Sequence, residues 1–599
     1  MSGKFTEILE TTFKMEENEG PDKVVGFKEA VKRHIKPGMK LHIAVSYYSP
    51  HAMISEIIRQ YWRTKPEFTL IVAGVIGNTI NLIQSGLVNK VITTYLGDDY
   101  PAPRPNLAIT RAYREKRLQI EQWSLLTYTM RLMAGAMDIG FIPTNSIMGS
   151  TMAEENEESF KVIDDPFGGA RKFGLLKALK PDISIVHGWA ADCYGNTILL
   201  PPYGPLTPSA GALPSKNGVL VSVERIVSTD FIRRHSPFVV IPGHCVKSVS
   251  LVPFGAHPKG MSNIGIEEFE AYGEDYDFIN DFQRATQDPE THNAWIKEWI
   301  LDCETHEDYL RKVGYERLLF LKGKADEDSW KYELESLEDK ISGGAEYNAT
   351  EIMAVIASRK IRDKVIENGY NAILAGVGIA NLAGWMAYYQ LRKENYYVNI
   401  MAEVGFLGYT PRPGDPFIFN FGNLPTCKML TDVENVLGIF VGSEGNRCLG
   451  LLGAGQIDKC GNINSTKISE KIYLTGSGGA NDVASTACEV MAVVEQSRNR
   501  FVEGVPYITC RGDKVKILVS TMGVFEKLGD APEFMLTQYF PISGLTPTET
   551  INRIRENCGW DLKVFPNITE VDAPTVKELV MLRLFDPRGN FIGSAEKNS

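Results

Sequence analysis

The sequence predicts two related open α/β domains with mainly parallel sheets, and an extra helical segment at the end of the first half. Three observations predict this. Two segments, "KLHIAVSYYSPHAMISEIIRQYWRTKPEFTLIVAGVIGN" and "NAILAGVGIANLAGWMAYYQLRKENYYVNIMAEVGFLG", each run from an apolar stretch of strand length through turn residues into an amphipathic helix and back into an apolar stretch, the order of a βαβ unit with parallel strands. Each half also carries Asp-x-x-Gly-Asn after an apolar strand, at Asp192 to Asn196 and at Asp458 to Asn462. Asp, Gly and Asn are ordinary turn residues, but two echoes in the same order point to duplication. Between the halves, residues 322–347 are rich in charge and poor in apolar residues.

The 599 residues exceed what one hydrophobic core organises, so several domains are expected. In the first unit the helix begins near Tyr48 and Pro50, proline being suited to a first turn. After it, "THNAWIKEWILDCETHEDYLRKVGYERLLFL" places Trp295, Trp299, Ile300, Cys303 and Leu310 near helical spacing, a helical segment packing back on the first half. Asn348 and Glu351 offer a capping-box start to the helix that opens the second half, and Gly369 a stop. The expected division is 1–321, a charged linker at 322–347, and 348–599.

Composition limits the function. A net charge of −11 comes with no basic stripe; "REKR" at Arg114 to Arg117 and "RHIK" at Arg33 to Lys36 read as solvated faces, so no nucleic-acid partner is expected. No window approaches the roughly 18 uninterrupted apolar residues of a membrane span, and the polar, acidic N-terminus lacks a signal pattern. Nine scattered cysteines without a CxxC pair suit a reducing cytoplasm, and the expectation is a soluble, cytoplasmic protein. Cys303 and His306 lack further ligands at metal spacing, so no metal is assigned. His187, after the strand "ISIVH", reads as a core residue rather than a cleft ligand.

Glu403 ends the apolar strand "NIMA" with no Lys or Arg beside it, and aligning the two units puts Gly74 where Glu403 stands. A carboxylate in one copy only is how a single site arises on a duplicated scaffold, and ligand crevices of open α/β sheets lie beyond the strands' carboxyl ends. The residue alone also allows a structural Glu bonded to helix amides or a distant Arg. Gly376, Gly378, Gly405 and Gly408 leave room for another molecule or another backbone near the strand tips. "GVGIAN" lacks the third glycine and the distant acid of a dinucleotide fingerprint. "LTGSGGANDVAS" is either a nest of amides for an anion at a helix N-terminus or a tight glycine turn; it lacks the Lys-Ser/Thr of a P-loop.

These stretches together resemble the family I CoA-transferases, of the glutaconate CoA-transferase type. In the second half the resemblance to the B subunit rests on Glu403 to Gly405, "GAGQIDKCGNINST", "GSGGANDVAS", "RFVEGVPYITCRGDKVKILVSTMGVF" and "PTVKELVMLRLFDPRGNF". In the first half, the resemblance to the A subunit rests on "DDPFGGARKFGLLKALKPDISIVHGWAADCYGNTILL" and "HNAWIKEWILDCETHEDYL". It covers nearly the whole chain and implies an A–B fusion on the CoA-transferase-like, NagB/RpiA-like fold, with an A-like domain at 1–321 and a B-like domain at 348–599.

The resemblance further implies an acyl-CoA:carboxylate CoA-transferase in which Glu403 carries a glutamyl-CoA thioester. It uses coenzyme A as substrate and carrier and no metal, acts on a dicarboxylic or branched acyl group, and has small-molecule partners. Gly478, Gly479 and Ala480 are the expected oxyanion donors, and Gly376, Val377 and Gly378, with Gly405, the CoA contacts. The family's glycine-rich turn after the first strand is replaced here by Val45, Ser46 and Tyr47, which places Ser46 and Tyr47 at an altered acyl or oxyanion pocket. An acyl-CoA hydrolase or lyase on the same fold is the alternative, and a non-catalytic acyl-CoA sensor a third reading. Retention of Glu403 favours transfer. The fused halves can complete one site, so a homo-oligomer needs another reason.

Overall fold

A computed structural model describes residues 3–14, 19–44, 48–101, 103–205, 215–443 and 445–593. The first unit is β1 (Lys40–Ile43), α1 (His51–Tyr61) and β2 (Phe68–Ile71), with β1 and β2 paired in parallel. The second half opens with α2 (Ala349–Asn368), where the Asn348 side chain accepts from the amides of Thr350 and Glu351 and Glu351 reaches back to the Asn348 amide; left-handed Gly369 ends it. The second unit follows as β3 (Ala372–Leu374), α3 (Ile379–Lys393) and β4 (Asn399–Ala402), again parallel. Such runs cross over through a helix because parallel strands cannot be joined by a tight turn.

The two units sit in two separate sheets of the same plan. The nine-stranded sheet places β1 between β2 and Ile183–Ala191, with Val219–Ile226 and Val246–Leu251 beyond. The ten-stranded sheet places β3 between β4 and Cys448–Leu452, with Glu489–Val494 and Val515–Ser520 beyond. All of these pairings are parallel, and the second sheet continues into antiparallel strands at both sides of the repeat.

The Asp-x-x-Gly-Asn echoes are one turn built twice. Asp192 accepts from the amides of Tyr194 and Asn196 at 3.1 and 2.9 Å and from the Asn196 side chain at 2.9 Å. Asp458 accepts from the amides of Cys460 and Asn462, both at 2.9 Å, and from the Asn462 side chain at 3.0 Å. The same asparagine oxygen then takes a glycine amide at 2.9 Å in each half, from Gly243 and from Gly512. Gly195 and Gly461 stand at φ +95° and +78°, where a side chain is strained. Asx turns of this kind fix the chain's exit from a strand.

The helical segment packs on the first half as expected: Ile296 and Ile300 are buried with α1 residues, with Trp295 against the same core. His306 bonds the Pro253 carbonyl at 2.7 Å, the Cys303 thiol the Glu298 carbonyl, and His187 both Ser222 and Glu224, so all three are structural. Residues 322–347 contain the helix Ser329–Glu335. Arg412 and Arg588 of the second half pair with Glu327 and Glu333 of this segment. Among the described residues no helix is long and apolar enough to cross a membrane.

Candidate active site

Glu403 follows β4 directly, at the carboxyl edge of its sheet, half-buried. It lines a cleft of ≈ 240 Å³ between the halves, with Ala73, Gly74 and Tyr95 from the first and Val377, Phe417 and Gly478 from the second among its walls. Gly74, which the repeat sets opposite Glu403, faces the same space. The duplication thus brings two strand ends together and arms one of them.

The loop ahead of the short helix Ala480–Thr486 meets this carboxylate. The Gly479 amide donates to Glu403, and a Cβ on Gly479 would lie 2.0 Å from Glu403 Oε2, so only glycine allows the approach. The loop is also stitched to the first half. The Gly478 amide donates to the Thr94 carbonyl at 2.9 Å, the Gly478 carbonyl accepts from the Leu125 amide at 2.9 Å, and the Ala480 amide is taken by the Ser477 carbonyl at 3.0 Å. Of the expected trio of oxyanion donors, the amides of Gly478 and Ala480 are bonded to backbone carbonyls, and that of Gly479 meets Glu403.

The remaining predicted residues divide by cause. Val377 is exposed and lines the cleft. Gly378 stands at φ +94° as the cap of α3, with open space where a Cβ would point. Gly376 and Gly405 serve close backbone approach, since a Cβ there would lie 2.5 Å from the Leu451 carbonyl and 2.2 Å from the Thr431 carbonyl respectively. Ser46 and Tyr47 lie outside the described residues.

The electrostatics of Glu403 come from burial and from a neighbour that sequence reasoning missed. Burial first, then the Asp482 charge, push the Glu403 carboxyl from its ordinary 4.5 up to about 7, against the Gly479 hydrogen bond. Asp482 is itself raised to about 6 by burial. It accepts from Ser124 Oγ at 2.7 Å and the Leu126 amide at 3.0 Å, capping the first-half helix Leu125–Ala136 from the other half. "GGANDVAS" displays Asp482, but its partners lie some 350 positions away and leave no local signal.

A second unpredicted cluster faces Glu403 from the first half. Lys259 Nζ lies 2.5 Å from Asp99 and 3.0 Å from Glu274, while Asp98 holds Arg104 at 2.8 Å and Asn106 at 2.6 Å. Tyr100 stacks on Phe417 with centroids 4.4 Å apart and donates to Asp415 at 2.6 Å. The adjacent acids in "YLGDDY" were the available sequence signal. Among the described residues no group of His, Cys, Asp and Glu is arranged to hold a metal.

The arrangement offers one half-buried nucleophile or base, one amide aimed at it, and largely apolar, partly aromatic walls. Comparison with known proteins gives this chemistry a family. The family model described as coenzyme A transferase matches residues 24–251 and 439–527, just over half of the chain and on both sides of the cleft. The A subunit of glutaconate CoA-transferase from Acidaminococcus fermentans is 26% identical over 318 residues, covering 50% of this chain and 94% of that relative. The B subunit of 3-oxoadipate CoA-transferase from Pseudomonas knackmussii is 28% identical over 263 residues, covering 40% of this chain and 94% of that relative. A crystal structure of an acyl-CoA transferase (YdiF) from E. coli O157:H7, in a thioester complex with CoA, superposes with TM-score 0.63 at 16% identity, covering 94% of this chain and 96% of that one; at that identity it shows the fold. With an A-type and a B-type relative each matched along nearly its whole length by a single polypeptide, the chain belongs to the coenzyme A transferase family, as a fused family I CoA-transferase.

Proposed function

We propose that the enzyme moves CoA from an acyl-CoA to a carboxylic acid through a covalent glutamyl-CoA thioester on Glu403, with a dicarboxylic or branched acyl group. The observation that carries this reading is the Glu403 carboxyl in the inter-half cleft, raised to about 7 and touched by one amide, that of Gly479. A Glu403 oxygen attacks the thioester carbonyl, and the C–S bond breaks to give an acyl-glutamyl anhydride and CoA thiolate. The thiolate attacks the glutamyl carbonyl, releasing the acyl carboxylate and leaving glutamyl-CoA. The acceptor carboxylate then runs the sequence in reverse, so no net proton or electron is consumed.

In this reading the Gly479 amide stabilises the oxyanion formed on the Glu403 side; losing one such donor typically costs about 10²–10³ in rate. Val377, which lines the cleft, and its neighbour Gly378 are the proposed contacts for CoA, with Gly376 and Gly405 allowing close backbone approach nearby in the sequence. Binding energy from CoA, distant from the reacting carbon, aligns the thioester with Glu403. We assign the A-like domain to 1–321, the connecting segment to 322–347 and the B-like domain to 348–599. Both walls of the site come from one chain, so a second copy is not needed to complete it.

A raised carboxyl also suits general-base work, so hydrolysis or lyase chemistry by Glu403 is the competing reading. Intact-mass analysis after incubation with a panel of acyl-CoAs and no acceptor separates the two. A CoA adduct, reducible by borohydride and absent from Glu403→Gln, is the expected result. Catalytic release of CoA with no adduct would transfer the assignment to the hydrolase.

A further inference from the structure

We propose that the acyl pocket selects groups with an uncharged, apolar distal end and rejects those ending in a carboxylate. This rests on the acyl-CoA reading above and chooses between its two substrate types, in favour of the branched one.

Lys259 is the only cation among the described residues lining the cleft, and both Asp99 and Glu274 hold its ammonium. Asp98, Asp99, Glu274 and Glu403 line the same space, so acids outnumber bases around any distal group. Arg104 is bound to Asp98 and is not a wall residue. A terminal carboxylate would enter a partly dehydrated site facing like charge, where repulsion is poorly screened. Selective sites for such groups present a guanidinium or free ammonium, and neither is offered here.

The other polar groups of the walls are also satisfied within the protein. The Thr94 hydroxyl donates to the Ala73 carbonyl at 2.7 Å, Tyr95 to the Asp98 carbonyl at 2.9 Å, and Tyr100 to Asp415. What remains for a ligand is largely hydrocarbon and aromatic surface, including Phe417 and Phe419. The ≈ 240 Å³ space exceeds the ~150 Å³ cavity that holds a benzene ring, so a branched chain of several carbons fits.

The test compares 5-methylhexanoyl-CoA with glutaryl-CoA, isosteres in which two terminal methyl groups replace two carboxylate oxygens. With acetate as acceptor, kcat/KM for 5-methylhexanoyl-CoA is expected to exceed that for glutaryl-CoA by at least about ten-fold. Equal use, or preference for glutaryl-CoA, would overturn the proposal. In Asp99→Asn, which releases one of the two carboxylates from Lys259, the preference is expected to fall; the wild-type ratio decides the matter should that variant not fold. The ratio is read from thioester consumption with and without acetate, so the donor preference is obtained even if acceptor-independent release of CoA overturns the transfer reading. Should neither thioester turn over, calorimetric binding of both to Glu403→Gln answers the same question, with tighter binding of 5-methylhexanoyl-CoA expected and tighter or equal binding of glutaryl-CoA overturning the proposal.

Discussion

Glu403 and Asp482 are two acids buried near one another without a cation between them, and the cost of that arrangement sets the pH behaviour of the enzyme. Burial and the Asp482 charge hold Glu403 near 7, so the ionised form needed for attack becomes dominant only above that pH. The kcat/KM profile should rise through an apparent pKa of about 7 to a plateau. Asp482→Asn should move that limb to lower pH, by only part of the displacement, since burial is the larger cause. An unmoved limb would mean that another group controls it. Stability runs the other way. Both carboxyls bind protons more tightly in the fold than in the unfolded chain, so their favourable contribution is complete below about pH 4 and is lost as pH rises through 6 to 7. Glu403→Gln should therefore be more stable than wild type at pH 8, by on the order of 3 kcal/mol, with the difference nearly vanishing around pH 4.5. The position of Glu403 at a strand mouth was legible in the sequence because strand length and alternation fix where a strand ends. Its electrostatic partner was not, because Asp482 acts through the packing of one half on the other.

At the scale of elements, the duplicated Asx turns are the clearest case in which sequence and structure carry the same information. Asp-x-x-Gly-Asn is readable because the bonds that close the turn itself are local, and the left-handed glycine has no substitute at no cost. Asp192→Ala and Asp458→Ala each remove four acceptor bonds, the fourth coming from Thr229 Oγ1 at 3.1 Å and from the Val505 amide at 3.5 Å respectively. At ~0.5–1.5 kcal/mol apiece, each variant should lose roughly 2–6 kcal/mol, and by a similar amount in the two halves. Denaturant titration checks this; a loss of activity at Asp458→Ala without a loss of stability would give the turn a role in chemistry. The glycine loop before Ala480–Thr486 was half legible by the same logic. Its composition announced free amides at a helix start, but which amides stay free is decided in part by Thr94 and Leu125 in the other half. The 322–347 stretch shows a further limit: its charge correctly implies exposure, yet charge does not forbid a helix, and Ser329–Glu335 forms one.

Across the whole molecule, the repeat made the two sheets predictable while leaving their junction hidden, because the residues that join them follow no period. That junction is apolar as well as polar. One continuous buried cluster includes Ile71, Trp123 and Leu126 of the first half with Met401, Leu437 and Val483 of the second. Another joins Tyr48, Trp189 and Phe269 to Trp385, Ile400 and Phe406. Around these lie the Asp482 cap on Ser124 and the Tyr100–Asp415 bond. Each sheet also has a layer nearly its own, around α1 in the first half and between α2 and α3 in the second. The opposite faces of both sheets are closed in part by the residues that the other half contributes to the shared clusters. Separating the halves would expose large aromatic side chains, each worth ~1.5–3 kcal/mol when buried, and would leave Asp482 without its donors. Each sheet would then keep one covered face and lose part of the cover on the other, so the two should not melt as independent units. Calorimetry is expected to give one transition whose van't Hoff and calorimetric enthalpies agree, and the tryptophan fluorescence change is expected to coincide with loss of helix signal. Two resolved transitions would show that each sheet holds its core without the other, and that the active-site cleft is a contact between finished domains rather than a seam through a shared interior.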